Sequence, residues 1–147
     1  VKAKPTPPFT IEVLISADIP QWNYARAGLV LQGHFTDDLM LFGPIFADYA
    51  RYGAWVFGDP VTEAAQYAIS DGSKPWPQGN LIWMRLTDDN TDMMLDISFD
   101  HETWWRVVSG PRTDWGVDGS TNVGFAIDSS NGSSLDTALW LLSWEES

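Results

Sequence analysis

The chain has 147 residues, no cysteine, and 20 acidic against 8 basic residues, for a formal net charge of −12. That length suits one domain with a core of its own, so folding rests on packing rather than on disulfides. The charge works against phosphate backbones and anionic membranes, which argues against nucleic-acid binding, and no apolar run nears the ~20 residues of a membrane-spanning helix.

Val1–Pro8 carries two lysines and three prolines and reads as an extended lead-in or edge segment, because proline cannot donate a ladder hydrogen bond. No signal peptide is visible, and a start at Val1 rather than Met suggests an upstream segment. Phe9–Ser16 alternates, with Phe9, Ile11, Val13 and Ile15 on one face, the pattern of a half-buried strand. After a Pro20-containing loop, Tyr24–Gln32 predicts a second strand with Ala25, Ala27, Leu29 and Leu31 on one face. Leu39–Phe46 predicts a third, in which Gly43-Pro44 argues for a bulge or a sheet edge. Gly53–Phe57 predicts a fourth; Ala64–Ile69 fits strand or a short helical turn, and its strand-rich surroundings favour strand. Ser70–Gly79 is turn-rich.

The clearest pattern lies in Leu81–Val108, where three β-type runs are separated by acidic turns at Asp88–Asp92 and Asp100–Thr103. A loop over Pro111–Asn122 follows, then strands at Val123–Asp128 and Ala138–Trp144 around a flexible Asn131–Ser134 tip. Eight to ten short strands with turn signals between them predict an all-β protein, an antiparallel β-sandwich or barrel, over residues 9–147.

The chemical constellations are sparse. Asp88-Asp89-Asn90-Thr91-Asp92 begins like a calcium loop, but Met93 stands where that loop needs glycine and Phe99 where it needs the bidentate glutamate. An acidic hairpin turn is the simpler reading, and no metal or cofactor is expected. Glycosidases set two carboxyls about 5–5.5 Å or about 6.5–9.5 Å apart. Asp96 and Asp100, four residues apart, would sit about 13 Å apart along a strand. Asp100 and Glu102 sit in a turn of loose geometry, and pairs between strands stay open. The only histidines, His34 and His101, have no nucleophile or metal partner at telling spacing, and phosphate-binding glycine loops are absent.

Nine tryptophans exceed ordinary usage. Most are expected in the core, with a few exposed for stacking on a ligand. The candidates are Trp22 and Tyr24, the cluster of Asp48, Tyr49, Arg51, Tyr52 and Trp55, Trp76 between two prolines, and Trp115 in a Gly- and Asp-rich loop. Rings beside carboxylates, amides and guanidinium groups suit sugars: the ring covers the C–H face while polar groups bind hydroxyls. The competing reading of each ring is packing against a loop or a neighbouring subunit.

YARAGLVLQ, IWMRLTDDNTDMMLDISFDHETWWRVV, VGFAIDSS and the closing LLSWEES resemble the concanavalin A-like lectin/glucanase superfamily. The resemblance is strongest to jelly-roll domains at the C-terminal ends of bacteriophage tail and other virion structural proteins. It includes a Ser-x-Asp-Gly-x-x-Trp turn, here Ser98–Trp104 with His101 in place of the glycine. The laminarinase-type enzymes carry Glu-x-Asp-x-x-Glu on one strand; Met94–Phe99 is the nearest segment here and lacks both glutamates. The resemblance thus implies a concanavalin A-like jelly roll that is not an enzyme. It implies a virion location, with host-surface polysaccharide, other virion proteins and a homo-oligomer such as a trimer as partners. A purely structural decoration domain and a glycoside hydrolase with an unrecognised carboxylate pair are the alternatives. The Leu81–Val108 meander then reads as framework, and binding is expected in the aromatic loops around it.

Overall fold

The computed structural model describes residues 1–18, 25–33, 39–46, 50–57, 63–67, 81–112, 120–128 and 138–147. Side chains are described for 1–16, 27–33, 39–43, 81–112, 120–127 and 140–147. The described residues form eleven strands: β1 (Lys2–Ala3), β2 (Phe9–Asp18), β3 (Ala25–Gln32), β4 (Leu39–Phe46), β5 (Ala50–Phe57), β6 (Glu63–Tyr67), β7 (Leu81–Asp88), β8 (Asp92–Ser98), β9 (Trp105–Pro111), β10 (Asn122–Asp128) and β11 (Ala138–Glu146). They make two antiparallel sheets. Sheet A has the order β1-β10-β3-β4-β5-β6, and sheet B the order β11-β2-β7-β8-β9. The chain crosses between sheets after β1, β2, β6, β9 and β10, with a meander in each sheet between crossings. This is an antiparallel β-sandwich of the concanavalin A-like, jelly-roll kind.

Alternation in the sequence becomes the core directly. From sheet B come Phe9, Ile11, Val13, Ile15, Ile82, Met84, Leu86, Met93, Leu95, Ile97 and Val108; from sheet A come Leu29, Leu31, Met40, Phe42 and Val123. Each fully buried side chain of this size contributes about 1.5–3 kcal/mol of apolar transfer. The two ends of the chain are tied in: Lys4 N–H donates to the Thr121 carbonyl, and Thr10 and Ser147 exchange backbone hydrogen bonds of 2.8 and 3.0 Å.

The third strand departs from expectation. Leu39–Phe46 is neither an edge nor bulged there; it runs unbroken between β3 and β5, with Pro44 opposite Tyr52. The reason lies in its other neighbour. Pairing of β3 with β4 runs through Ala25–Phe46 and Arg26–Ile45, then resumes at Leu29–Phe42. Between those points Gly28 and Gly43 bring the two backbones close. A Cβ on Gly43 would lie 2.0 Å from the Ala27 carbonyl oxygen, and one on Gly28 2.0 Å from that of Phe42. Gly28 also has φ +150°, a conformation open chiefly to glycine. Proline is tolerated because it falls where the ladder to β3 is already interrupted.

Candidate functional site

Of the residues singled out in the sequence, Trp22, Tyr24, Asp48, Tyr49, Trp76 and Trp115 lie outside the described residues. Arg51, Tyr52 and Trp55 lie on β5, whose backbone fixes their register. Leu29 and Phe42 face the core as a cross-strand pair, so Val30 and Leu41, the next pair, belong to the opposite face of sheet A. Trp55 is opposite Leu41, Arg51 opposite Ile45, and Gly53 opposite Gly43. Tyr52 falls in the alternate row, opposite Pro44.

Three cross-strand rows result on the opposite face of sheet A, where Val30 and Leu41 are themselves buried. One runs Gly124–Val30–Leu41–Trp55–Gln66. The next pairs Ala126 with Gly28 and Gly43 with Gly53, the two pairs meeting where Gly28 and Gly43 approach. The third runs Asp128–Arg26–Ile45–Arg51. A row with almost no side chains is thus flanked by a tryptophan position on one side and two arginines and an aspartate on the other.

Sheet B carries a second polar and aromatic cluster, on its own outer face, that sequence reasoning missed. One register row crosses all five strands: Glu145, Glu12, Arg85, Asp96 and Arg106. Glu12 Oε1 lies 3.1 Å from Arg85 Nε, and Arg106 grips Asp96 through Nε and Nη2. The turn after β8 folds over this row. Ser98 Oγ accepts from His101 N–H at 2.9 Å, and Asp100 Oδ1 accepts from Glu102 N–H at 2.9 Å and Thr103 N–H at 2.7 Å. Those amides, Thr103 first, hold the Asp100 carboxyl down at about 2.

His101 takes φ 67°, where the related motif has glycine. The left-handed backbone costs a non-glycine residue about 1–2 kcal/mol. Its ring is compensated on both sides. It stacks on Trp83 at 3.8 Å and 11°, and its Nε2 lies 2.9 Å from Glu12 Oε2. Trp104 meets His101 edge-on, and the Arg85 guanidinium lies 3.6 Å from the Trp104 ring centre. Asp96, Asp100 and His101 have internal partners, and Arg85 Nε, which makes no hydrogen bond, faces Glu12 as a charge pair, so the cluster fastens the β8–β9 turn to the sheet.

Because the Asp100 carboxyl is more acidic folded than unfolded, its stabilisation is complete above the ordinary carboxylate range and fades as pH falls from 3.8 toward 2. Asp100→Asn should therefore lower the urea midpoint at pH 6, with the gap to the parent closing by pH 2. A constant gap over that range would show that these hydrogen bonds are not its source.

The acidic turn between β7 and β8 uses its oxygens the same way. Asp89 Oδ1 accepts from Thr91 and Asp92 N–H, which lowers its pKa, Asp92 contributing most, while Asp88 Oδ1 accepts from Asn90 N–H, Asn90 having φ 78°. Among the described residues no group of three His, Asp or Glu side chains is placed to hold a metal ion.

No protein-family profile and no curated protein matches the sequence. Solved structures do match in fold. A functionally unknown protein from Saccharomyces cerevisiae aligns with TM-score 0.66 and 16% identity over 95% of this chain and 68% of its own. A mutant of the GH43 protein BlXynB from Bacillus licheniformis aligns with TM-score 0.70 and 11% identity over 94% of this chain, which spans only 27% of that one. A double mutant of congerin II aligns with TM-score 0.58 and 15% identity over 93% of this chain and 90% of its own. These likenesses establish the β-sandwich fold.

Proposed function

We propose that this chain is a non-catalytic carbohydrate-binding β-sandwich module whose binding surface is the face of sheet A away from the core. The observation that carries the reading is the juxtaposition of the three rows on that face. The glycine row has Trp55 on one side and Arg26 and Arg51 on the other, an aromatic and guanidinium positions of the kind that stack on and hydrogen-bond to sugars. The similarity to a GH43 protein, of which this sandwich matches about a quarter, supports a polysaccharide setting. Absence of catalysis is supported by the carboxylates singled out in the sequence: Asp96 is gripped by Arg106, and Asp100 by its own turn.

The setting we propose is the virion, where the module contacts host-surface polysaccharide beside other virion proteins; the sequence resemblance to tail-protein jelly rolls supports it. Glycan-array screening followed by calorimetry tests the binding claim. Trp55→Ala should weaken the best hit by about 2 kcal/mol, roughly 30-fold, if the ring is a buried anchor. Absence of any hit at millimolar sugar would sink the reading. A structural role as a subunit contact is the second reading, favoured by the exposed apolar residues of β11.

A further inference from the structure

Two end strands meet through charge on one side of the sandwich. β1 ends sheet A and β11 ends sheet B. Lys2 of β1 stands in the core-facing row Lys2–Val123–Leu31–Met40. Glu146 of β11 stands in the core-facing row Glu146–Ile11–Leu86–Leu95. Behind these two charges both rows are apolar and buried. Inward-facing charge at a sheet edge is a known guard against unwanted pairing. Here the two charges close on each other across the seam between the sheets. Lys2 Nζ lies 2.5 Å from Glu146 Oε1, which also accepts from Trp144 Nε1–H at 2.6 Å. The same ammonium lies 5.7 Å from the Trp144 ring centre. The backbone attachment of β1 is short: two exposed residues paired with Val123 and Asn122, then a bond from Lys4 N–H to the Thr121 carbonyl.

We propose that β1 is a strap over this seam, latched by Lys2 and Glu146, which opens and closes while the rest of the sandwich stays folded. A short, exposed ladder opens at a fraction of the global unfolding free energy. Open, the strap uncovers the β10 edge at Asn122 and Val123 and the partly buried Trp144 ring. Sheet B keeps its whole ladder, since β1 belongs to sheet A. Glu146 is the member of the latch that titrates. Its bond to Lys2, and then that from Trp144, hold its carboxyl below the usual range. The other charges nearby lie elsewhere: Glu145, next along β11, is on the outer face opposite Glu12, and Lys4 Nζ lies 5.9 Å from the Phe9 ring centre. A carboxylate more acidic in the folded state stabilises above its ordinary range and loses that effect as pH falls, so acid releases the strap.

Amide exchange of the full chain by NMR, read as protection factors, tests this. The Lys4 amide should be protected at least about 100-fold less than the amides of β2, which is paired on both sides, and dilute urea should not speed its opening. Glu146→Gln keeps an acceptor for the Trp144 indole but loses the charge. It should speed Lys4 exchange about 3–5-fold with β2 unchanged. Lys2→Met should act alike, and the double variant should add little to either. Glu145→Gln, on the outer face, should leave Lys4 as it was. In the parent, lowering the pH from about 6 to about 3 should reduce Lys4 protection relative to β2 and move the Trp144 indole resonance. Lys4 exchange that tracks global unfolding in urea, or that is indifferent to both latch substitutions and to acid, overturns the proposal. Should both variants fail to fold, the urea and pH series on the parent decide by the same criteria.

Discussion

Gly43→Ala is expected to destabilise the fold by about 4 kcal/mol or more, among the largest effects a single methyl group can have. The new Cβ would lie 2.0 Å from the Ala27 carbonyl oxygen, with Gly28 Cα only 3.1 Å away. Neither neighbour is a side chain that can swing aside; both are backbone of β3, in the middle of sheet A. Relief requires β3 and β4 to separate, and β3 carries Leu29 and Leu31 while β4 carries Met40 and Phe42, all in the core. For a domain of this size each kcal/mol corresponds to roughly 2–4 °C, so thermal unfolding should fall by roughly 8–16 °C. Gly28→Ala should match it, since its Cβ meets the Phe42 carbonyl oxygen and its φ of +150° adds strain. A midpoint within a few degrees of the parent would mean that the two strands do not approach as described.

Arg112→Ala should be nearly as damaging, by about 3 kcal/mol, through electrostatics rather than sterics. Asp88 ends β7 on the core side and is fully buried. Arg112 Nε lies 3.2 Å from its Oδ2, and neither atom has a hydrogen-bond partner, so the contact is a charge pair. Removing the guanidinium leaves a buried carboxylate with one oxygen uncompensated. Arg112 N–H also donates to the Thr91 carbonyl, which clasps the end of β9 to the β7–β8 turn, but alanine retains that bond. The test is a double-mutant cycle. Asp88→Asn combined with Arg112→Ala should recover at least about half of the loss from Arg112→Ala alone, because the stranded charge is gone. Strict additivity of the two single effects would remove the charge pair from the account.

How far such features can be read from sequence depends on their range. The period-2 pattern of Phe9–Ser16 and of Leu81–Phe99 translates into the buried faces of β2, β7 and β8 because strand alternation is local. The Ser98–Trp104 turn was legible for the same reason: its hydrogen bonds span two or three residues. Pro44 misled, since its tolerance depends on a gap in pairing to β3 set by Gly28, sixteen positions earlier. The Glu12–Arg85–His101 assembly was invisible, because it joins residues 73 and 89 positions from Glu12 only through the β2–β7 register. The three rows on sheet A are of the same kind: Arg51 and Trp55 were conspicuous in the sequence, but Arg26 and the glycine row needed β3, β4 and β5 to be aligned.

The placement of the binding surface on sheet A is tested most directly by two-dimensional amide NMR of the labelled chain, titrated with the best oligosaccharide from the array. Shifts should concentrate at Arg26, Gly28, Gly43, Ile45, Arg51 and Trp55, positions brought together by the β3–β4–β5 register. Shifts confined to sheet B around Trp83, His101 and Trp104, or no shifts at saturating sugar, would contradict it.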